Sequence, residues 1–202
     1  MGRFIFSAML VVACTAVGFA QSDEYKKIEV YGGYSHNRVD DGGAFSDRAG
    51  FNGFNTSVTG NITKYVGLKF DLSGHYNKQT IPLFAPTSQL KFDSSLYNFL
   101  GGVQLKDNAS EGTFKPYAHA LVGAAHTRNK GTFSGACAAI VPTPCPNFDF
   151  SDTGLAGALG GGLDIRLNSR FDIRVIQADY NPTRINDITR HNFRIGAGIV
   201  IH

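Results

Sequence analysis

Val66-Gly67-Leu68-Lys69-Phe70-Asp71-Leu72-Ser73-Gly74-His75-Tyr76 is the stretch that decides the fold class. Val66, Leu68, Phe70, Leu72, Gly74 and Tyr76 alternate with Gly67, Lys69, Asp71, Ser73 and His75. That period of two places the apolar side chains on one face of a strand and the charged ones on the other. A water-soluble sandwich would turn the charged face to solvent, whereas a membrane barrel inverts the arrangement, with lipid outside and a polar lumen inside. The alternation is compatible with both, so the choice falls to the rest of the chain.

Seven further segments carry strand character, which with Val66–Tyr76 makes about eight. Ile28–His36, Ser95–Leu105, Thr153–Arg166 and Phe193–Ile201 alternate clearly, while Phe51–Thr63, Pro116–Arg128 and Phe171–Tyr180 do so with weaker phase. In the segment from Phe171, Ile173 and Val175 oppose Asp172 and Arg174, but Gln177 and Asp179 then fall on the apolar side. A bulge near Ile176 restores the phase. Gly160-Gly161-Gly162 reads as close backbone approach in a curved sheet, since no helix-forming run or Gly-Lys-Ser/Thr follows it.

The connections are more informative than the strands. Arg38–Gly50, Asn77–Ser94, Asn129–Asp152 and Asn181–Arg190 are long, and alternate with the shorter Lys64-Tyr65, Lys106–Lys115 and Leu167–Arg170. A soluble sandwich has no reason to sort its loops by side, but outer-membrane barrels do, with short periplasmic turns and long outer loops. Segments of this length suit the ~9 to 11 residues that a tilted strand needs to cross a bilayer. After residue 20, no apolar run reaches the ~20 residues of a membrane helix.

Residues 1–20 read as a secretory signal, with Arg3 ahead of an apolar run and Gly18-Phe19-Ala20 before a cut at Gln21, leaving 21–202 as one barrel domain. A lipoprotein-type cut at Cys14 would interrupt that apolar run. Without Arg3 the balance is 18 Lys plus Arg against 16 Asp plus Glu, so nucleic acid is not implied. Cys137 and Cys145, close together in an exported chain, are expected to form a disulfide contributing roughly 2 to 3 kcal/mol. No further Cys or neighbouring His supports zinc there, and Asp40-Asp41-Gly42-Gly43 reads as a turn rather than a cation site.

With its signal peptide, its sorted loops and its last strand, the chain resembles the small eight-stranded outer-membrane barrels of the opacity-protein and outer-membrane-protein-A β-barrel type. The last strand, Arg194-Ile195-Gly196-Ala197-Gly198-Ile199-Val200-Ile201, looks like the C-terminal sorting signal of such barrels: polar Arg194, then Gly196, then Ile199 and Ile201. His202 follows where an aromatic residue is usual. The resemblance implies a closed antiparallel up-and-down transmembrane barrel in the bacterial outer membrane. It also implies outer-membrane lipid and the barrel-assembly machinery as partners, with loops displayed to a surface ligand that the sequence does not name.

If the apolar faces meet lipid, the lumen receives Glu29, Lys69, Asp71, Asp164, Arg166, Asp172, Arg174 and Arg194, together with His75. An eight-stranded barrel is just wide enough for side chains to fill, and buried charges are tolerated only when paired, so the expected interior is an interlocked plug. Its alternatives are a narrow porin-like channel and a soluble secreted barrel binding an apolar ligand. His119 and His126 share a strand, but no Ser stands at a spacing that suggests a catalytic set, so neither enzyme activity nor a cofactor is expected. Tyr34, Tyr65, Tyr76, Tyr97, Phe171 and Phe193 fall near strand ends, where aromatic girdles sit.

Overall fold

The computed structural model describes residues 25–39, 49–82, 89–134 and 147–202. The proposed signal peptide, Asp40-Asp41 and the cysteines at 137 and 145 lie outside these residues. Eight strands follow one another: β1 (Ile28–Val39), β2 (Ala49–Asn61), β3 (Val66–Pro82), β4 (Gln89–Lys106), β5 (Phe114–Ser134), β6 (Phe148–Arg166), β7 (Phe171–Ile185) and β8 (Ile188–Ile201). Each pairs antiparallel with the next, and β1 pairs with β8, from Val30 opposite Ile201 to Arg38 opposite Phe193, which closes the barrel.

The decisive stretch behaves as its alternation requires. Leu68, Phe70 and Tyr76 are exposed on the outer wall, while Lys69, Asp71, Ser73 and His75 are buried inside. The same inversion holds on the other strands: Leu155, Leu159, Ile195, Ile199 and Ile201 face outward, and Asp164, Arg194 and Gln104 face inward. In water this outer wall would be a continuous apolar surface far beyond what a soluble monomer exposes.

The proposed bulge is present. Leu163 pairs with Ile176 and Asp164 with Arg174, so Val175 is the extra residue. Val175 and Ile176 consecutively face outward, which returns Gln177 and Asp179 to the interior. The Gly160–Gly162 run is a close approach of neighbouring strands: a Cβ would lie 2.3 Å from the Ala178 carbonyl oxygen at Gly160 and 2.1 Å from that of Ile176 at Gly162.

The long-loop end departs from expectation. Asn77–Ser94, Asn129–Asp152 and Asn181–Arg190 were read as loops, yet β3 runs to Pro82, β4 starts at Gln89, β5 runs to Ser134 and β6 starts at Phe148. In these extensions the polarity reverses. Phe92, Gly131 and Phe148 stand in one cross-strand row on the face that continues the lumen, and the Phe92 and Phe148 rings meet at 6.0 Å over the glycine. The opposite face carries Lys78, Asp93, Lys130 and Asp149 in a row. These residues lie beyond the hydrocarbon layer, so greasy side chains turn inward and charges outward.

β7 and β8 also join by a tight hairpin in place of the expected loop, with Asn186 and Asp187 at φ 50° and 60°. Left-handed backbone at both central positions defines the hairpin turn that matches strand twist, and Asn and Asp tolerate it well. Asn186→Val is expected to cost about 1–2 kcal/mol, because a branched Cβ clashes in that region, whereas Asp187→Gly should be neutral or slightly stabilising. Urea midpoints of the detergent-folded variants check both.

Candidate functional site

The interior is the first place where chemistry is concentrated. Among the described residues, Glu29, Asp71, Asp164, Asp172 and Asp179 are buried there against Lys69, Lys106, Lys115, Arg174 and Arg194, equal numbers of each sign. Pairing is dense near the short-turn end. Lys106 Nζ lies 3.1 Å from Glu29 Oε2 and 2.8 Å from Asp164 Oδ2. Arg174 donates to the same Asp164 through Nε at 2.8 Å and Nη2 at 3.1 Å. Asp172 is 3.9 Å from Lys106 and 2.9 Å from His202 Nε2.

Arg174 then links this cluster to a second one. Its guanidinium is sandwiched between the rings of Tyr31 and Tyr117, at 4.3 and 4.0 Å from their centroids, and its Nη1 donates to Gln177 Oε1 at 3.0 Å. Gln177 Nε2 in turn donates to Asp179 at 2.7 Å and to Asn55 at 3.3 Å. In the second cluster Arg194 bridges two carboxylates, Asp71 at 2.8 Å and Asp179 at 2.7 Å. His119 Nε2 lies 2.9 Å from Asp179, and Lys69 Nζ lies 3.2 Å from His119 Nδ1.

Toward the long-loop end apolar side chains join the packing and alternate with buried polar ones: Leu96 stands opposite His75, Phe51 opposite Asn37 and Ala125 opposite Asn98. Val39, Phe51, Leu96, Leu100, Leu121, Ala125, Ala156 and Ala158 pack as one buried cluster. The lumen is thus filled by ion pairs near the short-turn end and by a mixture of apolar and neutral polar side chains toward the long-loop end.

Of the residues assigned to the lumen from sequence, Glu29, Lys69, Asp71, Asp164, Asp172, Arg174 and Arg194 are buried within the network. Arg166 is not part of it. It is the last residue of β6, at the rim, where its side chain is 22% exposed and lies 3.6 Å from Glu111. Lys106 and Lys115 were placed in a turn and are buried strand residues. Tyr31, Tyr117 and Gln177, which hold Arg174, gave no sequence signal beyond their alternation. His126 faces outward, with Nδ1 2.8 Å from Thr153 Oγ1, away from His119. In the proposed sorting strand, Arg194 and Gly196 face the interior and Ile199 and Ile201 the outer wall.

The model of the outer membrane protein β-barrel domain family matches residues 6–200. The chain belongs to this family. It is therefore an integral outer-membrane barrel, its greasy outer wall lies in lipid, and the soluble-barrel alternative falls. No curated protein matches the sequence. Among solved structures, the barrel is similar to Ail, the attachment invasion locus protein of Yersinia pestis, solved in complex with the heparin analogue sucrose octasulfate. That pair shows 19% identity and a TM-score of 0.57, over 86% of this chain and 97% of Ail. Neisserial surface protein A gives 14% identity and a TM-score of 0.57, over 87% of this chain and 97% of that one. Likeness at these identities establishes the shared fold.

Proposed function

We propose that the protein is a sealed, non-enzymatic outer-membrane scaffold that holds its outer hairpins at the cell surface. One observation carries this reading: among the described residues, each of the five buried carboxylates lies within 4 Å of a buried Lys or Arg. A lumen filled with packed side chains, in which the buried carboxylates are each held by a buried cation, offers a permeating cation no free counter-charge. His119, Asp179 and Lys69 lie together inside this plug, where no substrate reaches them, which supports a non-catalytic role. A strand of the pattern Arg194, Gly196, Ile199, Ile201 suits delivery by the barrel-assembly machinery. The extended hairpins β3–β4 and β5–β6 are the parts that reach a surface partner, and the complex of Ail with a sulfated sugar makes anionic glycans the first ligands to try.

Purified barrels inserted into planar bilayers are expected to give no conductance steps, with insertion verified by a heat-modifiable gel band. Steps that shift on Arg174→Ala or Lys69→Ala would replace the sealed reading with a narrow channel.

A further inference from the structure

Two concavities lie one above the other on the outer wall of β3 and β4. The upper one, about 390 Å³, is floored by small Ser95 and walled by Tyr76, Tyr97, Lys78, Arg128 and Lys130. The pairing register builds it, since Ser95 stands between Tyr76 and Arg128, and in the row above Asp93 stands between Lys78 and Lys130. Three cations face one carboxylate, Asp93, in the lining. Asp149, on β6, holds Arg128 at 3.0 Å through Nε and 2.7 Å through Nη2, and sits 3.7 Å from Lys130 Nζ. His126 completes the lower wall. The volume falls at the low end of the ~300–1,000 Å³ of small-molecule sites, larger than a lone phosphate requires.

The lower concavity, about 400 Å³, runs over Gly101 between Phe70 and Phe99, with Val58 and Leu72 at its sides. Tyr76 and Tyr97 separate the two, their rings edge to face at 5.7 Å and their hydroxyls 3.0 Å apart. Tyrosines with one apolar and one wet end mark the bilayer boundary. From Ser95 to Gly101 an extended strand covers roughly 20 Å at ~3.3 Å per residue. A cationic cup in the headgroup layer thus stands directly over an apolar groove in the hydrocarbon layer.

We infer that this wall binds one phosphorylated glycolipid of the outer leaflet, its phosphate and sugar in the cup at Lys78, Arg128 and Lys130 and an acyl chain in the groove over Gly101. The match is of charge above and apolarity below on one wall, with β3 and β4 common to both, β5 adding Arg128 and Lys130 to the cup and β2 adding Val58 to the groove. It rests on the outer-membrane placement and is independent of whether the lumen is sealed.

Native mass spectrometry of the detergent-purified barrel tests it, with bisphosphorylated lipid A, its dephosphorylated form and phosphatidylglycerol as probes. Wild type is expected to retain lipid A and to release the other two. Lys78→Ala with Lys130→Ala should weaken retention roughly tenfold or more, at about 1 kcal/mol per surface cation. Gly101→Leu, which fills the groove, should weaken lipid A binding while leaving a soluble phosphorylated disaccharide unaffected. Equal retention of dephosphorylated lipid or phosphatidylglycerol would overturn the headgroup assignment, and unchanged binding by the double variant would overturn the site. Displacement of lipid A by millimolar inorganic phosphate alone would reduce the cup to a general anion site. The heat-modifiable band of each variant shows that the barrel is folded.

Discussion

Arg194→Met is expected to destabilise the barrel by about 3–5 kcal/mol, the largest effect of any single interior substitution considered. Arg194 is 1% exposed and is shared by two carboxylates, Asp71 and Asp179. Methionine keeps most of the volume, so the loss comes from stranding two anions in a closed interior rather than from a cavity. Breaking a buried pair from one side costs that much because the remaining charge has nowhere to be solvated. The sharper test is the pair Arg194→Met with Asp71→Asn, which removes one stranded charge and should recover part of the loss. If the double variant is no more stable than Arg194→Met alone, the interior is wetter than a plug. Urea titration of the folded fraction on unheated gels reads both.

Phe70→Arg is expected to cost about 2–4 kcal/mol, because a charge on the lipid face is most expensive near the bilayer midplane. Phe70 is 69% exposed on the outer wall, midway along β3 between Tyr65 and Tyr76. The penalty should fall to about 0–1 kcal/mol for Tyr76→Arg at the interface. A soluble barrel predicts the opposite, that an exposed Phe70→Arg is harmless. A series along β3 at positions 68, 70, 72 and 76, measured by folding into vesicles of defined composition, traces that depth profile.

The strands that cross lipid were legible because the two environments alternate at every residue. Leu68, Phe70, Lys69 and Asp71 declare their faces, and the bulge declared itself when Gln177 and Asp179 broke the phase. The outer extensions were not legible for a physical reason. Beyond the membrane the apolar face changes sides, so Phe92 and Phe148 are on the face that continues the lumen while Lys78 and Lys130 are on the opposite one. A single phase carried on past Tyr76 meets contradictory residues, and the segment has the pattern of a loop. Lys106 and Lys115 were missed for a related reason: each stands at a strand end, where a lysine beside a turn looks solvated. The burial of Lys106 depends on partners, Glu29 and Asp164, brought in from distant strands. The apolar part of the interior was hidden because Leu96, Leu100 and Leu121 come from strands where lipid-facing and interior residues are both apolar.

The seam between β1 and β8 sets the timing of folding. Val30 meets Ile201 and Arg38 meets Phe193, so β1 gains its second neighbour only when β8 is in place. Until then β1 and whichever strand is newest keep raw edges that invite pairing with other chains. Ring closure of this kind is a late, non-local event and an intrinsically slow one. A chain so arranged must be kept apart from its siblings in transit, and its terminal strand serves as the clasp.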